Sequence, residues 1–169
     1  LQKAIADGLS VTMILHPNMR AFIHYFDLPG INLLDQGEVD VQTLMRTHEA
    51  MVTDYSSVGI DFALQRRPVI YYQFDRERFI GPAGSHLDLD EDLPGRIVRR
   101  EPELLDAVLS SWRGGFQPEP FVSERMDRLV EPVRSGSYSQ QVHDAIASAR
   151  SWRIFFWRLR DSARGRLAS

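Results

Sequence analysis

Met51-Val52-Thr53-Asp54-Tyr55-Ser56-Ser57-Val58-Gly59-Ile60-Asp61-Phe62-Ala63-Leu64 is the stretch from which the rest of the chain can be read. The apolar run from residue 50 to Thr53 predicts a short buried strand. It breaks at Asp54, and a helical pattern begins at the two serines. A serine at a helix start caps orphan backbone N–H groups, and an anion arriving there meets the same N–H groups and the positive end of the helix. Ser56 and Ser57 therefore read either as plain N-caps or as part of a phosphate cradle. On the local sequence the plain cap is the better reading, and Tyr55 and Asp61, which such a cap does not need, raise the cradle reading.

Upstream, Val11-Thr12-Met13-Ile14-Leu15 is a second run rich in β-formers, and it ends in His16-Pro17. Proline cannot continue a ladder and biases the residue before it toward extended backbone, so His16 is expected at the carboxyl end of a strand. In open α/β sheets that rim is where ligands bind. A helix is predicted over Met19–Phe26, with Phe22 and Phe26 on one face. A weak strand is predicted over Ile31–Leu34, and a short helix capped by Asp40. Downstream, Pro68-Val69-Ile70-Tyr71-Tyr72 is a further strand, Arg96-Ile97-Val98 a short one, and Glu101–Trp112 an amphipathic helix carrying Leu104, Leu105, Val108 and Leu109. Helices are also expected over Phe121–Val130 and Ser137–Ala149. Strand alternating with helix across short connections predicts an α/β fold, a Rossmann-like parallel sheet with helices on both faces plus C-terminal helices.

Residues 73–95 read as a long loop rich in Asp and Glu and broken by Gly and Pro. Arg76 and Arg78 within it are candidate phosphate contacts. The spacing of Asp88, Asp90 and Asp92 is that of a calcium loop's first ligands, but the glycine and closing glutamate of such a loop are missing, so a solvated acidic loop is the better reading.

Composition narrows the function classes. The 169 residues are 43% hydrophobic and 25% charged, ordinary for a globular protein, with a net charge of −3. Six arginines against Asp161 leave residues 150–169 at +5 and the rest at −8. The body is thus not expected to bind nucleic acid, whereas the tail suits an anionic surface. Trp152, Phe155, Phe156 and Leu159 share a helical face there, either against a neighbouring domain or on anionic lipid. No cysteine is present, which excludes disulfides, zinc–thiolate sites and cysteine nucleophiles. No run of 18 apolar residues occurs, and no Gly-x-Gly-x-x-Gly fingerprint marks a dinucleotide site. No cofactor is predicted, and no metal site is identified, which leaves a divalent metal open. The opening Leu-Gln-Lys suggests a piece of a longer protein.

Thr53-Asp54-Tyr55-Ser56-Ser57 with Asp61, then Arg67-Pro68-Val69-Ile70-Tyr71-Tyr72, Phe74-Asp75 and Asp92-Leu93-Pro94-Gly95, together resemble the CDP-glycerol glycerophosphotransferase family, the teichoic acid and capsule polymer polymerases. The likeness covers roughly residues 10–112. It implies the GT-B arrangement of two facing Rossmann-like domains, with this chain most of the second: residues 1–113 the donor-binding domain without its first strand, 114–149 C-terminal helices, 150–169 a basic aromatic tail. It implies transfer of glycerol phosphate from CDP-glycerol to a polymer hydroxyl with release of CMP, in the cytoplasm at the inner face of the membrane. Carried over, Ser56 and Ser57 hold the pyrophosphate, with Asp54 and Tyr55 beside them, Asp61 contacts a donor hydroxyl, and His16 lies at the phosphates as the catalytic residue. Asp61 suits a hydroxyl because a carboxylate repels phosphate. The family's usual Arg-Gly-aromatic patch is replaced here by residues 80–86, which leaves the acceptor or donor tail open. A fragment of this extent is expected to be inactive alone. A nucleotide-sugar glycosyltransferase of the same architecture, and a non-catalytic membrane-docking module, are the alternatives.

Overall fold

A computed structural model of the chain describes residues 1–26, 28–35, 37, 39–81, 84–129 and 138–148. The chain divides into two units, Leu1–Val130 and Glu131–Ser169. In the second, residues 138–148 are helical, in keeping with the helix expected there, and the basic aromatic tail lies outside the described residues.

The first unit runs α1 (Gln2–Ala6), β1 (Val11–Leu15), a 3-10 helix (Pro17–Tyr25), β2 (Ile31–Asp35), α2 (Val41–Thr47), β3 (Met51–Thr53), α3 (Val58–Ala63), β4 (Val69–Tyr72), α4 (Arg76–Ile80), β5 (Arg96–Val98), α5 (Glu101–Arg113) and α6 (Pro120–Leu129). All the ladders are parallel, as the alternation of strand and helix requires. They form two pieces, β1 with β2, and β3-β4-β5 with β4 in the middle.

The three-stranded piece shows why β4 reads as an unbroken apolar run. Val69 and Tyr71 face a core built with Phe62, Ala63, Val122 and Met126 from α3 and α6. Ile70 and Tyr72 point to the opposite face, where Val98, Leu104, Ala107 and Val108 pack. Both faces are covered, so alternation has nothing polar to display. The α5 stripe is Leu104, Ala107 and Val108, while Leu105 stays 37% exposed. Helix α6, read from sequence as part of a separate C-terminal segment, contributes Val122 and Met126 to the same core as α3.

Two side chains tie the pieces together. His48 spans from α2 to β1: Nδ1 lies 2.9 Å from the Leu44 carbonyl and Nε2 2.9 Å from Thr12 Oγ1. A carbonyl only accepts, so the neutral ring donates from Nδ1 and takes the Thr12 hydroxyl at Nε2. Arg67, in the turn before β4, donates from Nη1 to the carbonyls of Met45 (3.0 Å), Arg46 (3.1 Å) and His48. It thereby satisfies the orphan carbonyls at the end of α2. Arg67→Ala is expected to cost about 2 kcal/mol in a guanidinium melt, the loss of charge-assisted bonds to partly buried carbonyls. A loss below half of that would mean water replaces the guanidinium at little cost.

Two elements differ from their sequence reading. Residues 17–25 form a 3-10 helix, not an α-helix, and Phe22 is 49% exposed. None of residues 18–25 is buried, so there is no packed face to hold an α-helical stripe together. Within the stretch read as a loop, α4 forms over Arg76–Ile80.

Candidate functional site

Because β3, β4 and β5 are parallel, the segments that leave their carboxyl ends gather at one rim of the sheet. Asp54–Ser57 follow β3, Gln73–Asp75 follow β4, and Arg99 and Arg100 follow β5. His16 follows β1 at the carboxyl end of the other piece.

Ser56 and Ser57 do not share the capping role. Ser56 Oγ takes a long bond of 3.4 Å from the Val58 N–H. Ser57 stands at the N-cap position with helical backbone, φ −61° and ψ −20°, and its side chain caps nothing. Its hydroxyl is unspent among the described residues. With six residues α3 has little dipole to offer, so an anion here is held chiefly by hydroxyls and turn N–H groups. Asp61 is exposed on α3 and its carboxylate has no bond or ion pair among the described residues. The opposite side of the helix, Gly59, Phe62 and Ala63, is buried.

Asp54 and Tyr55 have local partners. Asp54 Oδ1 accepts from the Tyr55 N–H at 2.6 Å and fixes the turn after β3. The Tyr55 hydroxyl donates to Asp75 Oδ1 at 3.1 Å, and its ring stacks on Phe79 of α4 with centroids 3.8 Å apart and planes 4° from parallel. Burial, seconded by the Asp75 hydrogen bond, pushes the phenol up to about 12. The folded chain therefore keeps Tyr55 neutral where an unfolded tyrosine ionises, near pH 10. Its contribution is complete below about pH 10 and drains away as pH rises toward 12. Burial raises Tyr71 too, so both phenols oppose alkaline folding. Guanidinium melts from about pH 9 upward should show stability falling, and Tyr55→Phe should flatten part of that slope. An unchanged slope would place the whole effect on Tyr71.

Arg76 and Arg78 separate. Arg76 Nη1 lies 2.7 Å from Asp90 Oδ1, and Arg99 Nη2 reaches the same oxygen at 2.9 Å. The Arg76 hydrogen bond is the main cause that holds the Asp90 carboxyl below its usual range. Arg78 is exposed and has no bond or ion pair among the described residues. Two further loop carboxylates serve the backbone: Asp88 accepts from the N–H of Asp90 at 2.9 Å, and Asp92 from that of Asp88 at 2.8 Å. His16 is exposed, and its Nδ1 accepts from the Asn18 N–H at 3.2 Å, so the neutral ring carries its proton on Nε2. No hydrogen bond joins His16 to the Asp54–Asp61 segment among the described residues.

Sequence reasoning missed Asp75, Phe79 and Asp90, which brace the rim. Phe74-Asp75 was legible as a motif, but nothing along the chain marks Asp90 as the partner of two arginines 14 and 9 residues away. Gln73, 1% exposed at the end of β4, also carried no signal.

Residues 1–148 match the family described as CDP-Glycerol:Poly(glycerophosphate) glycerophosphotransferase. The chain belongs to this family. Among curated relatives it is 39% identical over 70 residues to a teichoic acid glycerol-phosphate transferase of Staphylococcus aureus, covering 41% of this chain and 18% of that one. It is 26% identical over 139 residues to a teichoic acid ribitol-phosphate primase of Bacillus spizizenii, covering 82% of this chain and 34% of the relative. The fold matches that of the wall teichoic acid polymerase TagF with a TM-score of 0.58 at 24% identity, over 90% of this chain and 37% of TagF. The chain thus spans about a third or less of these two relatives and little more than a third of TagF. Among the described residues, no helix is long and apolar enough to cross a membrane.

Proposed function

We propose that this chain is the donor-binding part of a transferase that moves glycerol phosphate, or a related polyol or sugar phosphate, from a CDP-activated donor to the hydroxyl end of a cell-wall or capsule polymer. Membership of the glycerophosphotransferase family supports the reaction class. The observation that carries the site is the rim itself, where the Ser57 hydroxyl and the Asp61 carboxylate stand unspent at the start and on the exposed side of one short helix. Ser56 and Ser57 take the pyrophosphate and Asp61 a hydroxyl of ribose or glycerol. In the reaction the acceptor hydroxyl oxygen forms a bond to the distal phosphorus and gives up its proton to solvent, the bond from that phosphorus to the CMP oxygen breaks, and CMP leaves with the charge. With Nδ1 occupied by Asn18, His16 presents an Nε2 proton, which suits stabilising charge on the phosphates better than taking the acceptor's proton.

The remainder of the protein completes the cleft. Strands β1 and β3 each keep one open edge, and on them Ile14 and Val52 are 38% and 48% exposed. In the doubly wound order 3-2-1-4-5-6, the strand before α1 lies between the strands that stand here as β1 and β3. Helix α1 then serves as the crossover of a βαβ unit, with the partner strand and the facing domain supplied by the rest of the protein. The tail, 150–169, holds the enzyme to the inner face of the membrane, and removing it should abolish flotation with anionic liposomes.

Calorimetry with CDP and CDP-glycerol tests the donor reading. Ser57→Ala should weaken binding about tenfold, one charge-assisted hydrogen bond, while Glu124→Ala at an exposed position of α6 should not. No binding by a folded sample, or equal loss in both variants, sinks it. Preference for UDP-sugars would turn the reading to a glycosyltransferase.

A further inference from the structure

Gln73 is 1% exposed, and neither the nitrogen nor the oxygen of its amide has a hydrogen-bond partner among the described residues. Buried amides are paired in nearly all folded proteins, because leaving both ends unmet sacrifices stability. Two other buried groups, the Tyr71 hydroxyl and Ser111 Oγ, are also unpartnered. The Tyr71 hydroxyl sits inside the core against Gly59, and Ser111 lies within α5. Gln73 differs from both: it leaves β4 at the rim and borders a cavity of about 830 Å³ at the carboxyl ends of β4 and β5, its amide shielded from solvent until the side chain turns.

The walls of that cavity define what it accepts. Asp75, Glu77 and Asp90 supply carboxylates, of which Asp75 already accepts from Tyr55 and Asp90 pairs with the lining Arg76 and Arg99, and Arg78 supplies a guanidinium with no partner among the described residues. Phe74 and Ile80 are its only large apolar side chains among the described residues. A nucleobase calls for apolar walls on both faces, which these residues do not make. Hydroxyls, by contrast, donate to carboxylates and both donate to and accept from an amide, while a phosphate suits an arginine. Ser57 and Asp61 do not line this cavity, so it is separate from the donor contacts proposed above.

We propose that the cavity takes the polyol-phosphate end of the acceptor chain, Gln73 turning its amide to the terminal hydroxyls and Arg78 meeting the nearest phosphate. The inference rests on the reading of the protein as a polyol-phosphate transferase and assigns that substrate its own subsite. Gln73 is then a specificity residue, a buried polar group with no partner in the fold among the described residues.

The test titrates the full chain with a synthetic glycerol-phosphate trimer, with inorganic phosphate, and with CDP. Wild-type chain should bind the trimer more tightly than phosphate. Gln73→Leu, of similar size but apolar, should melt at or above the wild-type temperature, lose roughly tenfold or more in trimer affinity, and keep its CDP affinity. Arg78→Gln, on the surface, should weaken the trimer and reduce the salt dependence of its binding, and it decides alone if the Gln73 variant does not fold. The proposal is overturned if the trimer binds no better than phosphate, if either variant binds it as well as wild type, or if a folded Gln73→Leu melts far lower with unchanged trimer affinity. Loss of CDP binding alongside trimer binding that depends on Gln73 would remove the donor reading and leave this one standing.

Discussion

Gly95→Ala is expected to remove a large part of the chain's stability. A Cβ on Gly95 would stand 2.4 Å from the Val69 carbonyl oxygen, 3.0 Å from its carbon, and 2.8 Å from Cε2 of Tyr71. The first two atoms are backbone, at the start of the central strand, and they cannot rotate away. Relief would pull Arg96 out of register with Ile70, and the β4–β5 ladder would go with it. A cost above about 4 kcal/mol follows, against a total stability of roughly 5–15 kcal/mol. Gly59→Ala makes a useful contrast, because its Cβ would meet side-chain atoms: Cε1 and the hydroxyl of Tyr71 at 2.9 Å and Thr53 Cγ2 at 3.1 Å. Overpacking of that kind costs about 1–3 kcal/mol. Tyr71→Phe should recover part of it by removing the hydroxyl, and by itself should be neutral or stabilising, since that hydroxyl is buried without a partner. Guanidinium midpoints for the four proteins give the coupling. A cooperative melt of Gly95→Ala within about 1 kcal/mol of wild type would mean the chain can reshape the turn before β5.

Tyr71 also shows how the sequence could be read. Its ring lies against both Gly59 and Gly95, 36 residues apart, so both glycines make room for one side chain, and Gly95 for the Val69 carbonyl as well. The motifs were legible because each is a local pattern: an apolar run for β4, a breaker before β5, serines ahead of a helix. Their common cause was not, because it is a contact made across the sheet. The parallel fold followed from strand and helix alternating, a property of short windows. The same logic failed for residues 17–25, where the spacing of Phe22 and Phe26 promised a face but no partner surface buries it. The rim divides in the same way. Ser56, Ser57 and Asp61 announced themselves through helix-start chemistry. Asp75 holding Tyr55, and Asp90 bridging Arg76 and Arg99, did not, because ion pairs and hydrogen bonds between loops leave no periodicity behind.

Phe62→Ala and Asp61→Asn, adjacent substitutions on α3, should have opposite consequences. Phe62 is 2% exposed and packs in the core with Tyr71, Val122 and Met126, so truncating it leaves a cavity and should cost about 3–5 kcal/mol. Because α3 is only six residues long, it has almost no stability of its own and depends on that packing. Loosening it also frees the Ser56–Ser57 turn, so Phe62→Ala should weaken CDP binding even below its melting temperature. Asp61 is exposed and contributes no bond to the fold among the described residues, so Asp61→Asn should leave the guanidinium midpoint within about 0.5 kcal/mol of wild type. Its effect belongs to the donor: an amide accepts from a hydroxyl more weakly than a carboxylate does, and a loss of about tenfold in CDP-glycerol affinity is expected. The ligand separates the two mechanisms. Saturating CDP should raise the melting temperature of Phe62→Ala, since binding reseats α3, by an amount set by mass action. If Asp61→Asn binds CDP-glycerol normally while Phe62→Ala does not, α3 is a support for the serines alone, and the donor hydroxyl is read from elsewhere on the rim.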